Sequence, residues 1–144
     1  MRYVMTAKSL SRPILAALYA AAGLLHLLLP APFVAIVPHL VPAPAAMVML
    51  TGLAEIAGAI GIAQPWSPRL RVAAGWGLAA YALCVWPANV QHMLLDLGRP
   101  GHGLGLVYHV PRLALQPVLI WWPLWVTGIV DWPFRSDPAA KRSQ

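Results

Sequence analysis

The sequence predicts an all-α fold, an integral membrane four-helix bundle, and three observations carry that expectation. Of the 144 residues, 60% are hydrophobic and only 10% charged, against about 25% charged in an ordinary soluble domain. Four apolar stretches come close to the roughly 20 residues, in a range of about 17–25, that a helix needs to cross a bilayer. Most basic residues fall on one side of those stretches. The fifteen prolines and eleven glycines are many, but the Leu, Ala and Val content excludes a disordered chain. The connections between the spans are too short to hold a soluble domain.

A short N-terminal segment, 1–12, precedes the first span, 13–29, with Pro13 suited to a helix start. The second span, 45–64, closes at the breaker-rich Pro65-Trp66-Ser67-Pro68. The third covers 72–95 and the fourth 111–130, leaving a tail of 131–144. Pro87 should kink the third span and free a carbonyl. Glycines 52, 58 and 61 in the second span, with 75 and 77 in the third, provide small faces for close helix packing. The start of the chain, with Ala20-Ala21-Ala22, resembles a cleavable leader, but apolar helix continues beyond Ala22 and three more spans follow.

Two connections stand out. Residues 30–44 hold five prolines and no charged residue, so this loop should lie in the interface or fold back over the bundle mouth. Residues 96–110 carry Gly98, Gly101, Gly103 and Gly105 and read as a flexible lid bearing His102 and His109. Arg2, Lys8, Arg12, Arg69, Arg71, Arg135, Lys141 and Arg142 share one side, against Arg99 and Arg112 on the other. The positive-inside rule then places a multi-pass protein in a bacterial cytoplasmic (inner) membrane with both termini cytoplasmic. The net charge of +6 forms no continuous stripe, so no nucleic-acid partner is expected. The lone Cys84 can form no intramolecular disulfide and no Cys-X-X-Cys motif is present.

Ionisable groups inside a span cost about 2.5–3.5 kcal/mol on insertion scales and tend to mark function. Glu55 lies near mid-membrane, where an unpaired carboxylate would take up a proton. His26, the Asn89/His92 pair and the Arg112/Gln116 pair fall in the outer half of their spans. Residues three or four apart share a helix face. His26, Glu55, Asn89, His92, Arg112 and Gln116 therefore form the candidate ligand-binding set, in a pocket open to the outside, with Glu55 paired to Arg112. The competing reading is that these polar groups only join helices. All five histidines fall on the outer side. Without a His-X3-His pair or a cysteine partner, no metal ligands are assigned, and a haem held by His26 and His92 has equally weak support.

The ordered motifs resemble the DoxX-like family of small four-span bacterial membrane proteins. The likeness runs through Gly23-Leu24-Leu25-His26, the proline-rich 30–38 stretch, Pro42-Ala43-Pro44 and Thr51-Gly52-Leu53-Ala54-Glu55-Ile56-Ala57-Gly58-Ala59. It continues through Trp86-Pro87-Ala88-Asn89-Val90-Gln91-His92-Met93 and Arg112-Leu113-Ala114-Leu115-Gln116, where Ala114 replaces the family's usual proline. The resemblance implies redox work at the outer membrane face, and its recurring positions are matched by His26, Glu55, Asn89, Arg112 and Gln116.

The expected function is an accessory or ligand-binding subunit in membrane redox metabolism. Its partners would be the lipid bilayer, a small apolar ligand such as a quinone, and a redox partner subunit. Two alternatives stand beside it: a membrane oxidoreductase subunit or His/Glu acid–base enzyme, and a purely structural assembly partner. Transport is disfavoured by small size and the absence of an inverted repeat.

Overall fold

The computed structural model describes residues 6–133, all of whose regular structure is helical. Helix α1 spans Ala7–Leu28, the one-turn α2 Ala31–Val34, α3 Pro44–Ala63, α4 Pro68–Leu97, α5 Gly105–Ala114 and α6 Gln116–Val126. Thr6 caps α1 by accepting the Ser9 N–H, and Ser67 caps α4 through the Leu70 N–H. Such caps satisfy donors that the first helical turn leaves without partners. Between α3 and α4, Gln64 accepts the Ser67 N–H and donates to the carbonyls of Gly61 and Ser67. The turn is thus closed by the buried Gln64 side chain.

Helices α1, α3, α4 and α6 pack around a common core that includes Leu15, Tyr19, Ala59, Ile62, Leu78 and Trp125. Pairing runs α1 with α3, α3 with α4, α4 with α6, and α6 back to α1. At one end Lys8 pairs with Asp131, Trp122 donates to Ser11 Oγ and Trp121 donates to the Trp132 carbonyl. This end also holds the Gln64–Ser67 turn, so the helices alternate in direction. The tightest crossing joins α1 to α3. A Cβ on Gly23 would sit 2.6 Å from the Gly52 carbonyl oxygen, and one on Gly52 would sit 2.9 Å from His26 Cβ. Gly58 faces Leu78 and Gly75 faces Thr127, as close packing requires, whereas a Cβ on Gly77 would meet nothing.

Several boundaries differ from those read in the sequence. Helix α1 begins at Ala7 with Pro13 inside it, because Thr6 rather than the proline supplies the start. Helix α4 runs through Pro87 to Leu97. The expected span 111–130 is two helices: α5 already contains Pro111 and Arg112, and the helix is interrupted at Leu115 before α6 takes over. Pro117 lacks an N–H for the Leu113 carbonyl, which accounts for a break here. Arg2 and the basic tail residues Arg135, Lys141 and Arg142 lie outside the described residues.

Helices α1 and α3 are long and apolar enough to cross a membrane by length and composition. Helix α4 has the length, but Gly75, Trp76, Gly77, Tyr81, Pro87 and Asn89 dilute its hydropathy. Large apolar side chains are widely exposed, among them Ile14, Leu18, Leu28, Leu50, Leu53, Ile60 and Leu83.

Candidate functional site

One cavity of about 770 Å³ lies between α1, α3, α4 and the α5–α6 junction. The 30–44 connection folds back over it, contributing Phe33, Ile36, Val37, Pro38, Leu40 and Val41. Five of the six expected site residues line it: His26, Glu55, Asn89, Arg112 and Gln116. His92 does not. It stands behind Arg112, whose Nη1 donates to His92 Nδ1 at 2.9 Å.

Glu55 is buried on α3, and its partners are not the expected one. Tyr81 Oη, on α4, donates to its Oε1 at 2.8 Å. His26 Nδ1 lies 2.9 Å from Glu55 Oε2 and equally 2.9 Å from the Ala22 carbonyl. Two acceptors flank this nitrogen, so it carries the ring proton. The N–H is aligned on Ala22, leaving Glu55 Oε2 without a well-aligned donor despite the short contact. Phe33 stacks on the His26 ring with centroids 3.9 Å apart, and Tyr19 meets Tyr81 edge-on. The expected Glu55–Arg112 pair is replaced: Glu55 is engaged by Tyr81 and His26, while Arg112 turns to His92 and lies over the Tyr108 ring.

Asn89 and Gln116 are spent largely on each other. Asn89 Nδ2 donates to Gln116 Oε1 at 3.0 Å, and Gln116 Nε2 donates to the Ala82 carbonyl. That carbonyl adjoins Leu83, whose own carbonyl loses its helical donor to Pro87. The pair therefore ties α6 to α4 across the cavity wall.

A second polar cluster sits next to the first. Asp96, near the C-terminal end of α4, is 2% exposed. It accepts from Arg99 Nη1 at 2.9 Å, from the Leu104 N–H at 3.1 Å and from His109 Nε2 at 3.0 Å. The Leu104 and His109 hydrogen bonds hold the Asp96 carboxyl below the usual carboxylate range. His92 Nε2 approaches the same carboxylate at 3.5 Å. His109 is fully buried inside α5 rather than carried on a loose lid. Gly103, with φ of +53°, brings the loop so close to Asp96 that a Cβ there would lie 2.5 Å from the carboxyl carbon.

Four residues of these clusters were not assigned from sequence: Tyr19, Tyr81, Asp96 and His109. The i,i+4 relation of His92 to Asp96 was a usable signal. The tyrosines had none, because an aromatic inside an apolar span reads equally as packing.

No curated protein and no solved structure matches the chain. The family profile of DUF8561, described as a domain of unknown function, matches residues 15–127. That stretch contains every residue of the cavity wall and of the Asp96 cluster. The chain belongs to the DUF8561 family.

Proposed function

We propose that this is a four-span protein of a bacterial inner membrane whose cavity binds a small amphipathic ligand of the quinone/quinol class, as an accessory subunit of membrane redox metabolism. The observation that carries the reading is the buried Glu55 Oε2, without an aligned donor, on a residue that lines a mostly apolar cavity. A cavity of about 770 Å³ falls within the roughly 300–1,000 Å³ of small-molecule sites, which combine apolar walls with a few placed polar groups. A ring hydroxyl would supply the missing donor to Glu55, and Arg112 would offer its guanidinium to an oxygen of the ring. His26 and Tyr81 would orient the carboxylate, while Asn89 and Gln116 hold the wall in shape.

The membrane assignment rests on the exposed Leu and Ile side chains of α1, α3 and α4, which water would leave unfavourably solvated and lipid would not. Spans built on α1, α3, α4 and the α5–α6 pair would put Arg12, Arg69 and Arg71 on the cytoplasmic side, and both termini with them. The motif likeness to DoxX-like proteins supports the same redox setting.

Native mass spectrometry of protein extracted gently from membranes tests the proposal. The expected spectrum shows the 15.5 kDa chain with an added mass matching an isoprenoid quinone. A bare chain under conditions that preserve lipid adducts on a control membrane protein would count against it and favour a structural subunit.

A further inference from the structure

Behind Arg112, outside the cavity, three potential metal ligands converge. His92 and Asp96 lie one turn apart on α4, and His109 reaches them from α5. One ligand atom from each of His92, Asp96 and His109 lies within 4.8 Å of the other two. The carboxylate is 3.0 Å from His109 Nε2 and 3.5 Å from His92 Nε2. Ligand bonds of about 2.0–2.2 Å in a tetrahedron put neighbouring donor atoms roughly 3.4 Å apart. Both carboxylate separations lie within about half an ångström of that spacing.

We propose that His92, Asp96 and His109 bind one divalent transition-metal cation, of which zinc is the type, separately from the cavity ligand. Two imidazoles and one carboxylate suit zinc or ferrous iron and leave a coordination position open. Magnesium and calcium, which take oxygen ligands, fit poorly. Asp96 and His109 are shielded from solvent, while His92 is partly accessible and provides an entry side. Arg99 holds the other carboxylate oxygen through a side chain that is 62% exposed, so its charge remains largely in solvent.

Proton placement matters at both imidazoles: a cation on His109 Nε2 replaces the proton given to Asp96 and leaves the ring proton on the buried Nδ1, which has no partner. A guanidinium only donates, so the contact with Arg112 makes His92 Nδ1 an acceptor and leaves the ring proton on Nε2. A cation on Nε2 moves that proton to Nδ1, which then faces the donor of Arg112. The Arg112–His92 hydrogen bond has to break when the cation binds, and Arg112 is released toward the cavity it lines. Arg112 therefore opposes the cation both by its charge and by its hydrogen bond.

The test is a Co2+ titration of the full-length protein, stripped of metal in detergent, followed by the visible absorption of tetrahedral cobalt and by displacement with Zn2+. The expected result is one equivalent bound. His92→Gln, at a partly exposed position that should not disturb folding, weakens binding by about tenfold or more, and His109→Gln removes the bands. Arg112→Gln tightens binding several-fold, since the new side chain offers an acceptor to Nδ1–H. Adventitious binding at His39 or His102 would survive both histidine substitutions unchanged. That outcome, absence of a saturable site in the wild type, or weakened binding in Arg112→Gln would overturn the proposal.

Discussion

Replacing Glu55 by glutamine is expected to lower the affinity of the cavity for a short-chain benzoquinol by about 10–100-fold, while the protein still folds. Glutamine has nearly the same shape but exchanges one acceptor oxygen for an NH2 group. Tyr81 Oη donates to Glu55 Oε1 at 2.8 Å, and His26 Nδ1 stands 2.9 Å from Oε2. With its oxygen on Tyr81 the amide presents NH2 to the His26 N–H and to the ligand hydroxyl, and the flipped amide forces the Tyr81 hydroxyl to accept instead of donate; either way the negative charge is lost. Hydrogen bonds to charged groups are worth about 1.5–3 kcal/mol, which sets the range. Titration of wild type and variant, followed by quenching of tryptophan fluorescence, measures it. If polar residues served only to join helices, Glu55→Gln would lower the melting temperature and leave binding unchanged.

Gly23→Val is expected to destabilise the protein by several kcal/mol and to remove ligand binding with it. The added Cβ would meet the Gly52 carbonyl oxygen at 2.6 Å, Ile56 Cγ1 at 2.8 Å and Glu55 Cβ at 3.1 Å. The first of these is backbone, so the two helices must separate rather than a side chain rotate. Overpacking a well-filled contact costs about 1–3 kcal/mol and occasionally more. Separation of α1 from α3 also carries His26 away from Glu55, so stability and binding fall together. Thermal unfolding in detergent checks the first effect. Gly77→Ala provides the control, because a Cβ at Gly77 has open space around it, and its melting temperature should stay near that of the wild type.

The helical character was legible because the apolar runs are long and end at prolines and glycines. What the runs could not show was where a helix bends or begins. Pro13 reads as a start, yet Thr6 and Ser9 set the cap and α1 carries Pro13 inside it. The stretch from Pro111 reads as one span because its hydropathy is continuous. The break between α5 and α6 depends on the missing N–H of Pro117, a backbone effect that hydropathy does not register. Depth along each helix was enough to bring His26, Glu55, Asn89, Arg112 and Gln116 to one cavity wall, since antiparallel packing sets these positions at the same end of the bundle.

Pairing within the site was less legible than membership. Charge alone joins Glu55 to Arg112, but the rotation of each helix turns Glu55 to Tyr81 and His26 and turns Arg112 to His92. The glycines of residues 98–105 suggested a loose lid. The carboxylate of Asp96 organises that segment instead, through Arg99, the Leu104 N–H and His109. A buried acceptor at a helix end was not visible as an organiser until the loop was seen folded on it.

The proposed quinone-class ligand would occupy the cavity between α1, α3, α4 and α6, and filling that cavity should exclude it. Ala88 lines that cavity on α4, and Ala88→Trp would fill part of it while every polar residue of the wall is retained. Equilibrium titration of the wild type and this variant in nanodiscs with a short-chain benzoquinol is the measurement. Saturable one-to-one binding in the wild type, lost in a folded Ala88→Trp protein, is the predicted result. Absence of saturable binding in the wild type, or equal affinity in the two proteins, would contradict it.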